Sequence, residues 1–234
     1  AVVFNGLAVS PDGEYLYEAR YTNHYYYKKR RPHAVFRLRW SDKAAVRPFL
    51  GHKEPGDDDS HFNNPTGLAT DKEGNIYVCD YGNNRLMIFS PEAKLLKKVA
   101  VPTPYQVRVH PVSGDIYVLS RELTKPVKLK GASIIKFSPL SKGVKQVAEL
   151  KSQSRFKSIA LDATSSPPRL FVVRYTGWWM SDAIHVVTDE GGGFEVGESL
   201  AEGIEIDEFG RGALPSYVHR GSGDAGETAE VITG

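Results

Sequence analysis

Residues 61–100 alternate between short apolar runs and polar turns, and this pattern predicts a small antiparallel sheet. The predicted strands are 68–70, 76–79, 85–89 and 95–99. The turns between them are rich in glycine, asparagine and proline, whereas the strands are rich in β-branched, aromatic and other apolar residues. Short runs bounded in this way are typical of β-hairpins. The stretch therefore predicts one sheet of four strands.

The same order of elements recurs along the chain. Copies of the first two strands lie at 6–17, 106–118 and 158–173, and a degraded copy lies at 203–210. The turn contains glycine in the first two of these copies and is rich in proline in the third. Most copies are spaced near the roughly 40–50 residues of a four-stranded propeller blade, with an insertion after the first copy. A β-sandwich also joins short strands by glycine turns, but the shared internal order favours a propeller. We therefore predict an all-β β-propeller of four-stranded blades, with about five recognisable blades; an incomplete six-bladed ring is the alternative.

Chain length and composition restrict the function classes. A chain of 234 residues suits a single all-β domain over 1–234, although a six-bladed ring normally needs more chain, so we expect a fragment of a longer protein. No apolar run is long enough to cross a bilayer. The 30 basic and 28 acidic residues nearly cancel, which argues against nucleic acid as a partner. The single cysteine, Cys79, excludes an internal disulfide, and its apolar strand predicts that it is buried.

The motifs of the first sheet carry a family resemblance. The segments 65–69, 74–78 and 82–86, together with Asp80, closely resemble the NHL-repeat β-propeller family. The resemblance is specific over 61–100 and fades beyond 156. Similar units occur in bacterial extracytoplasmic propellers, in RNA-binding propellers and, more distantly, in peptidyl-hydroxyglycine amidating lyases. The resemblance implies a periplasmic or secreted protein.

Two charged residues flank the second turn of this sheet. Asp80 precedes the turn and Arg85 follows it. We predict that they form a charge-assisted brace with a structural role.

The loop 51–61 contains two histidines and a run of carboxylates, including Asp59 and His61. Imidazole suits zinc and carboxylates suit calcium, so these two residues are the candidate ligands for a Ca or Zn ion. The ligands do not follow the order of an EF-hand, and a solvated acidic loop is the favoured alternative.

The resemblance to amidating lyases implies that the His-Phe pair beginning at His61 supplies one zinc ligand. The equivalent position of the next blade holds Tyr105, and the segment 156–158 of the third has no histidine. Three protein ligands are usual for a catalytic zinc, so the predicted set is incomplete. His110 lies beside a turn proline, and we predict that it is exposed.

The first strands of the blades should converge on a central channel, where propellers bind ligands. We predict His61, Tyr105 and Arg155 as contacts at this channel mouth. Trp178 precedes a second tryptophan, and adjacent strand residues point to opposite faces. One of the two is a ligand platform or both pack between blades, and the sequence leaves these alternatives open.

Three functions follow from these features. The first is a non-enzymatic scaffold that binds a protein, peptide or glycan at the channel mouth. The second is a metal-dependent lyase or lactonase in which His61 is a ligand. The third is an RNA-binding propeller that uses the tyrosine-rich basic segment 25–31, although a strand followed by a basic turn is the favoured interpretation of that segment. The incomplete ligand set favours the scaffold over an enzyme, and a metal-dependent lyase or lactonase-like hydrolase stays the open alternative.

Overall fold

A computed structural model describes residues 6–20, 32–39, 41, 48–121, 131–153, 155–175, 182–201 and 230–233. Trp178, the segment 25–31 and the degraded copy at 203–210 lie outside the described residues. The chain divides into two compact units, which we describe separately. Unit 1 is Ala1–Arg121 with Ile135–Gln146, and unit 2 is Glu122–Ile134 with Val147–Gly234.

The described regular structure consists of β-strands and two single-turn 3₁₀ helices, Tyr81–Asn83 and Leu140–Lys142. The strands are β1 (Leu7–Val9), β2 (Tyr15–Arg20), β3 (His33–Arg39), β4 (Pro48–His52), β5 (Pro65–Thr70), β6 (Ile76–Asp80), β7 (Arg85–Phe89), β8 (Leu95–Ala100), β9 (Pro104–Val109), β10 (Ile116–Arg121), β11 (Ala132–Phe137), β12 (Gln146–Ser152), β13 (Arg155–Asp162), β14 (Arg169–Tyr175), β15 (Asp182–Asp189), β16 (Phe194–Ala201) and β17 (Glu230–Thr233).

The strands form antiparallel sheets in which chain neighbours pair. Three sheets of the described chain have four strands, in the orders β1-β2-β3-β4, β5-β6-β7-β8 and β13-β14-β15-β16. Another has the order β17-β12-β11-β10-β9, in which β17 pairs with β12. The predicted hairpins at 6–17, 106–118 and 158–173 are all present as antiparallel pairs. The prediction of an all-β fold with four-stranded blades is confirmed, and the number of blades in a ring stays a prediction.

The two central strands of the second sheet are buried on both faces. Every residue of β6 and β7 is buried. Side chains alternate across a strand, so Tyr77 and Cys79 join one apolar cluster whereas Ile76 and Val78 join another. This arrangement explains why β6 and β7 are apolar on both faces except for the charged residues Asp80 and Arg85 at their adjoining ends, and it confirms that Cys79 is buried.

Glycine allows the first strands of the sheets in unit 1 to come into main-chain contact. The Gly6 amide donates to the Thr66 carbonyl oxygen at 2.7 Å. A Cβ atom on Gly67 would lie 2.7 Å from the Tyr105 carbonyl oxygen and 2.7 Å from the Gln106 Cα atom. The glycines therefore hold β1, β5 and β9 closer together than side chains would permit.

The turn after each of these first strands is capped by the polar residue at the strand's end. Ser10 Oγ accepts the Tyr15 amide at 2.9 Å, and Asp71 Oδ1 accepts the Asn75 amide at 2.8 Å. In the other two sheets His110 and Asp162 take this position. The His110 ring accepts the amides of Val112 and Ser113. The Asp162 carboxylate accepts the amide of Thr164. The prediction that His110 is exposed is wrong: only 8% of it is exposed, because its ring turns inward to reach these amides.

Candidate functional site

The segment 53–64, which we call the connecting loop, joins β4 to β5 and is held by the guanidinium group of Arg85. Arg85 Nε donates to Asp80 Oδ2 at 2.7 Å. Its terminal nitrogens donate to the carbonyl oxygens of Asp57 at 2.6 Å, Asp58 at 2.8 Å and His61 at 2.8 Å. The predicted brace between Asp80 and Arg85 is thus confirmed, and it also fixes the connecting loop.

The Asp80 carboxylate completes the same network. Its Oδ1 accepts the Asn63 amide at 2.7 Å, and its Oδ2 accepts the Asn83 side chain at 2.8 Å. The Asn83 amide group also donates to the Gly56 carbonyl oxygen at 2.7 Å. Burial raises the pKa of the Asp80 carboxyl group, while the bonds from Asn63, Asn83 and Arg85 act in the opposite direction. Both ends of the connecting loop are therefore tied to the turn between β6 and β7.

The outer side of the connecting loop carries an aspartate–histidine pair. His61 Nδ1 lies 2.8 Å from Asp58 Oδ1 and 2.9 Å from Oδ2. The bond from His61, followed by bonds from Ser60, lowers the pKa of the exposed Asp58 carboxyl group. With the proton on Nδ1, the Nε2 atom of His61 is a hydrogen-bond acceptor. The pair thus presents one carboxylate and one imidazole nitrogen at the protein surface.

Two further histidines lie beside this pair. The rings of His52 and His61 stack with their centroids 4.3 Å apart. His52 is the cross-strand partner of His33, whose Nδ1 accepts the Asn64 amide at 3.0 Å. The start of β3 and the end of β4 therefore place two imidazoles against the connecting loop, one of them stacked on His61.

Asp59, the second predicted metal ligand, is directed elsewhere. Its carboxylate pairs with the Lys98 ammonium group on β8. In the parts of the chain that the structure describes, no group of three or more histidine, cysteine, aspartate or glutamate side chains is arranged to hold a metal ion. The described residues thus do not fit the three-ligand site of a catalytic zinc.

The other predicted contact residues lie in different parts of the chain. Tyr105 is half-buried in β9, and the Arg121 guanidinium carbon lies 3.7 Å from the centroid of its ring. Arg155 begins β13 in unit 2, where its backbone pairs with Tyr175. The structure thus brings together His61 and its acidic neighbours within unit 1, and the convergence of all predicted contacts on one channel mouth stays a prediction.

Sequence reasoning missed the contacts that depend on distant pairing. Nothing in the motif indicates that Arg85 reaches carbonyl oxygens about 25 residues earlier in the chain. His52 is the exception, because it lies in the same predicted loop, 51–61, as His61. That position was a usable signal that it lies close to His61.

The part of the chain that matches a known protein family lies in the sheet that carries this site. Residues 62–89 match the family model of the NHL repeat. The chain contains an NHL repeat. The predicted resemblance is confirmed for this segment, which covers β5, β6 and β7 with their turns.

Similar proteins include enzymes. The chain is 35% identical over 105 residues to peptidyl-glycine alpha-amidating monooxygenase A of Xenopus laevis, which covers 38% of the chain and 11% of that protein. A structure of luciferin-regenerating enzyme aligns with a TM-score of 0.41 and 21% identity, and covers 60% of the chain and 46% of that structure. No helix among the described residues is long and apolar enough to cross a membrane.

Proposed function

We propose that this NHL-repeat chain is a non-enzymatic binding scaffold that takes a protein, peptide or glycan on the connecting loop. The observation that carries the proposal is the fork of Arg85, which binds three carbonyl oxygens of the loop from a buried position. Because its backbone is fixed from inside, the loop keeps its outer side chains in place without a partner. Preorganisation of this kind lowers the entropic cost of binding.

The outer side of the loop favours a partner with donor groups. Asp57 and Asp58 are exposed, whereas the charge of Asp59 is balanced by Lys98. His61 adds a ring that is part of a stacked pair. A basic peptide segment or the hydroxyl groups of a glycan would complement these acceptors.

Binding to defined arrays tests the proposal. Labelled protein is applied to arrays of synthetic peptides and of glycans, and the hits are measured in solution with the wild-type chain and with the Asp58→Asn/His61→Gln variant. Glu92→Gln, an exposed acidic position in the turn before β8, is the matched control. The proposal is supported if a ligand found on the arrays binds the wild type and the Glu92→Gln control but not the double variant. An absence of hits, or hits that both variants keep, refutes it.

A metal-dependent activity is the second candidate, and one contact favours it. A carboxylate on the Nδ1 atom of a histidine is the usual partner of a metal-binding imidazole, and Asp58 holds His61 in this way. The similarity to an amidating monooxygenase points in the same direction. Elemental analysis separates the two candidates: stoichiometric zinc or calcium that is lost in His61→Ala and kept in Glu92→Gln would place this candidate first.

The location proposed for the chain rests on the resemblance to extracytoplasmic NHL propellers. We propose that the protein is periplasmic or secreted. Fractionation of the native host cells, followed by immunodetection, tests this location, and recovery in the cytoplasmic fraction would refute it.

A further inference from the structure

Arg108 is a half-buried arginine on the strand that contacts β5. It lies in β9, directly across from Tyr117 of β10. Its neighbour Val107 faces the apolar cluster that also contains Cys79. Because side chains alternate along a strand, Arg108 lies on the opposite face of the sheet from Val107.

The guanidinium group of Arg108 is poorly partnered. Among the residues that the structure describes, its one hydrogen bond runs from a terminal nitrogen to the Val107 carbonyl oxygen at 2.8 Å. Across the described residues no aspartate or glutamate pairs with it, whereas Arg39, Arg85 and Arg169 each pair with a carboxylate. A guanidinium group has five N–H donors, so most of those of Arg108 have no acceptor in the described part of the chain.

This lack of a counter-charge is costly. Burial lowers the pKa of Arg108, and a guanidinium group stays protonated in proteins. A shielded cation without an anion loses hydration energy, which the bond to the Val107 carbonyl oxygen returns only in part. An oxyanion in this position would supply both the charge and the acceptors.

We propose that Arg108 is an anion-binding residue that takes the carboxylate or phosphate group of a small ligand through its unused donors. Two oxygens of a carboxylate or a phosphate match the fork of a guanidinium group, which binds them through two parallel hydrogen bonds. The site goes beyond the proposed function because Arg108 is not part of the connecting loop. The array experiment on the loop and the anion experiment below can therefore fail independently.

The test measures thermal unfolding with sodium phosphate, sodium acetate or sodium chloride at one fixed ionic strength and pH. A ligand that binds only the folded chain raises the unfolding midpoint with concentration. We expect phosphate or acetate to raise the midpoint above that in chloride for the wild type and for Arg39→Gln, an exposed arginine that already has a carboxylate partner. Whichever salt acts identifies the oxyanion.

Two variants of Arg108 decide the outcome. Arg108→Gln should lose the rise in midpoint, and Arg108→Lys should keep the charge but bind about tenfold more weakly, because it lacks the fork. In chloride alone, Arg108→Gln should be at least as stable as the wild type, since the uncompensated charge is gone. A wild type that responds to neither oxyanion, or an Arg108→Gln variant that responds as the wild type does, overturns the proposal.

Discussion

Replacing Arg85 by methionine tests whether one buried guanidinium group holds the connecting loop. Methionine keeps an unbranched apolar chain and removes the charge and all donors. The Asp80 side chain is fully buried, so it would be left as an unpaired carboxylate. Removing one partner of a buried ion pair costs about 3–5 kcal/mol. The three carbonyl oxygens of the loop can bind water instead, so we expect the total loss to stay within that range.

Urea denaturation measures the change in the free energy of unfolding, and an exposed ion pair provides the reference value. Arg39 pairs with Glu14 at 2.9 Å, but both side chains are more than 40% exposed. We expect Arg39→Met to cost about 0–1 kcal/mol, as is usual for exposed ion pairs. Amide hydrogen exchange of residues 57–61 should accelerate in Arg85→Met and stay unchanged in Arg39→Met.

The double variant separates loss of the pair from loss of packing. Adding Asp80→Asn to Arg85→Met removes the stranded charge while it keeps an oxygen for the Asn63 amide. The double variant should therefore be more stable than Arg85→Met alone. The reasoning is refuted if Arg85→Met costs less than about 1 kcal/mol, the upper limit of an exposed pair, or if Asp80→Asn adds to its loss.

Three further predictions follow from local geometry. Gly67→Ala should lower stability by about 1–3 kcal/mol, because its Cβ would meet main-chain atoms of β9. Gly192→Ala, which would meet no atom within 4 Å, should be neutral in the same thermal unfolding experiment; equal effects would contradict the reasoning. The thiol of Cys79 is fully buried and its pKa is raised by burial, so an aromatic disulfide reagent should modify it only in urea; rapid labelling of the folded chain would argue against this packing. The pKa of Asp58 is lowered in the folded chain, so its contribution is present above the unfolded-state pKa of about 3.8 and is lost as the pH falls through the folded value. The unfolding midpoint of Asp58→Asn should lie below that of the wild type at neutral pH and converge with it in acid, and a gap independent of pH would exclude this cause.

The fold was predictable because each sheet is encoded locally. The strands of the second sheet lie within a residue or two of their predicted ends, except for β5, which begins at Pro65 instead of 68. Asp80 and Arg85 were recognisable as a pair because they flank one short turn. Their neighbours in space were not, because the carbonyl oxygens that Arg85 binds come from a loop whose path depends on how β4 and β5 are placed.

The chemistry of the candidate site was less predictable than its location. The sequence shows acidic residues and histidines in one loop, but it does not show which carboxylate faces which cation. Lys98 comes from the edge strand β8 and pairs with Asp59, while Asp58 turns to His61. His110 was misjudged for a related reason, since a histidine beside a turn proline resembles a surface residue until its ring is seen to accept amides of its own turn.

The capped turns explain why the repeats look so unequal in sequence. What Ser10, Asp71, His110 and Asp162 share is a side-chain acceptor at the end of the first strand of a sheet, supplied by a hydroxyl, a carboxylate or an imidazole. The amide that it accepts differs from one turn to the next. The repeats can therefore diverge in amino-acid sequence without losing the turn, provided that a side-chain acceptor remains at the end of the strand. An alignment that scores acceptor capacity instead of residue identity should detect blades in this chain that identity alone overlooks.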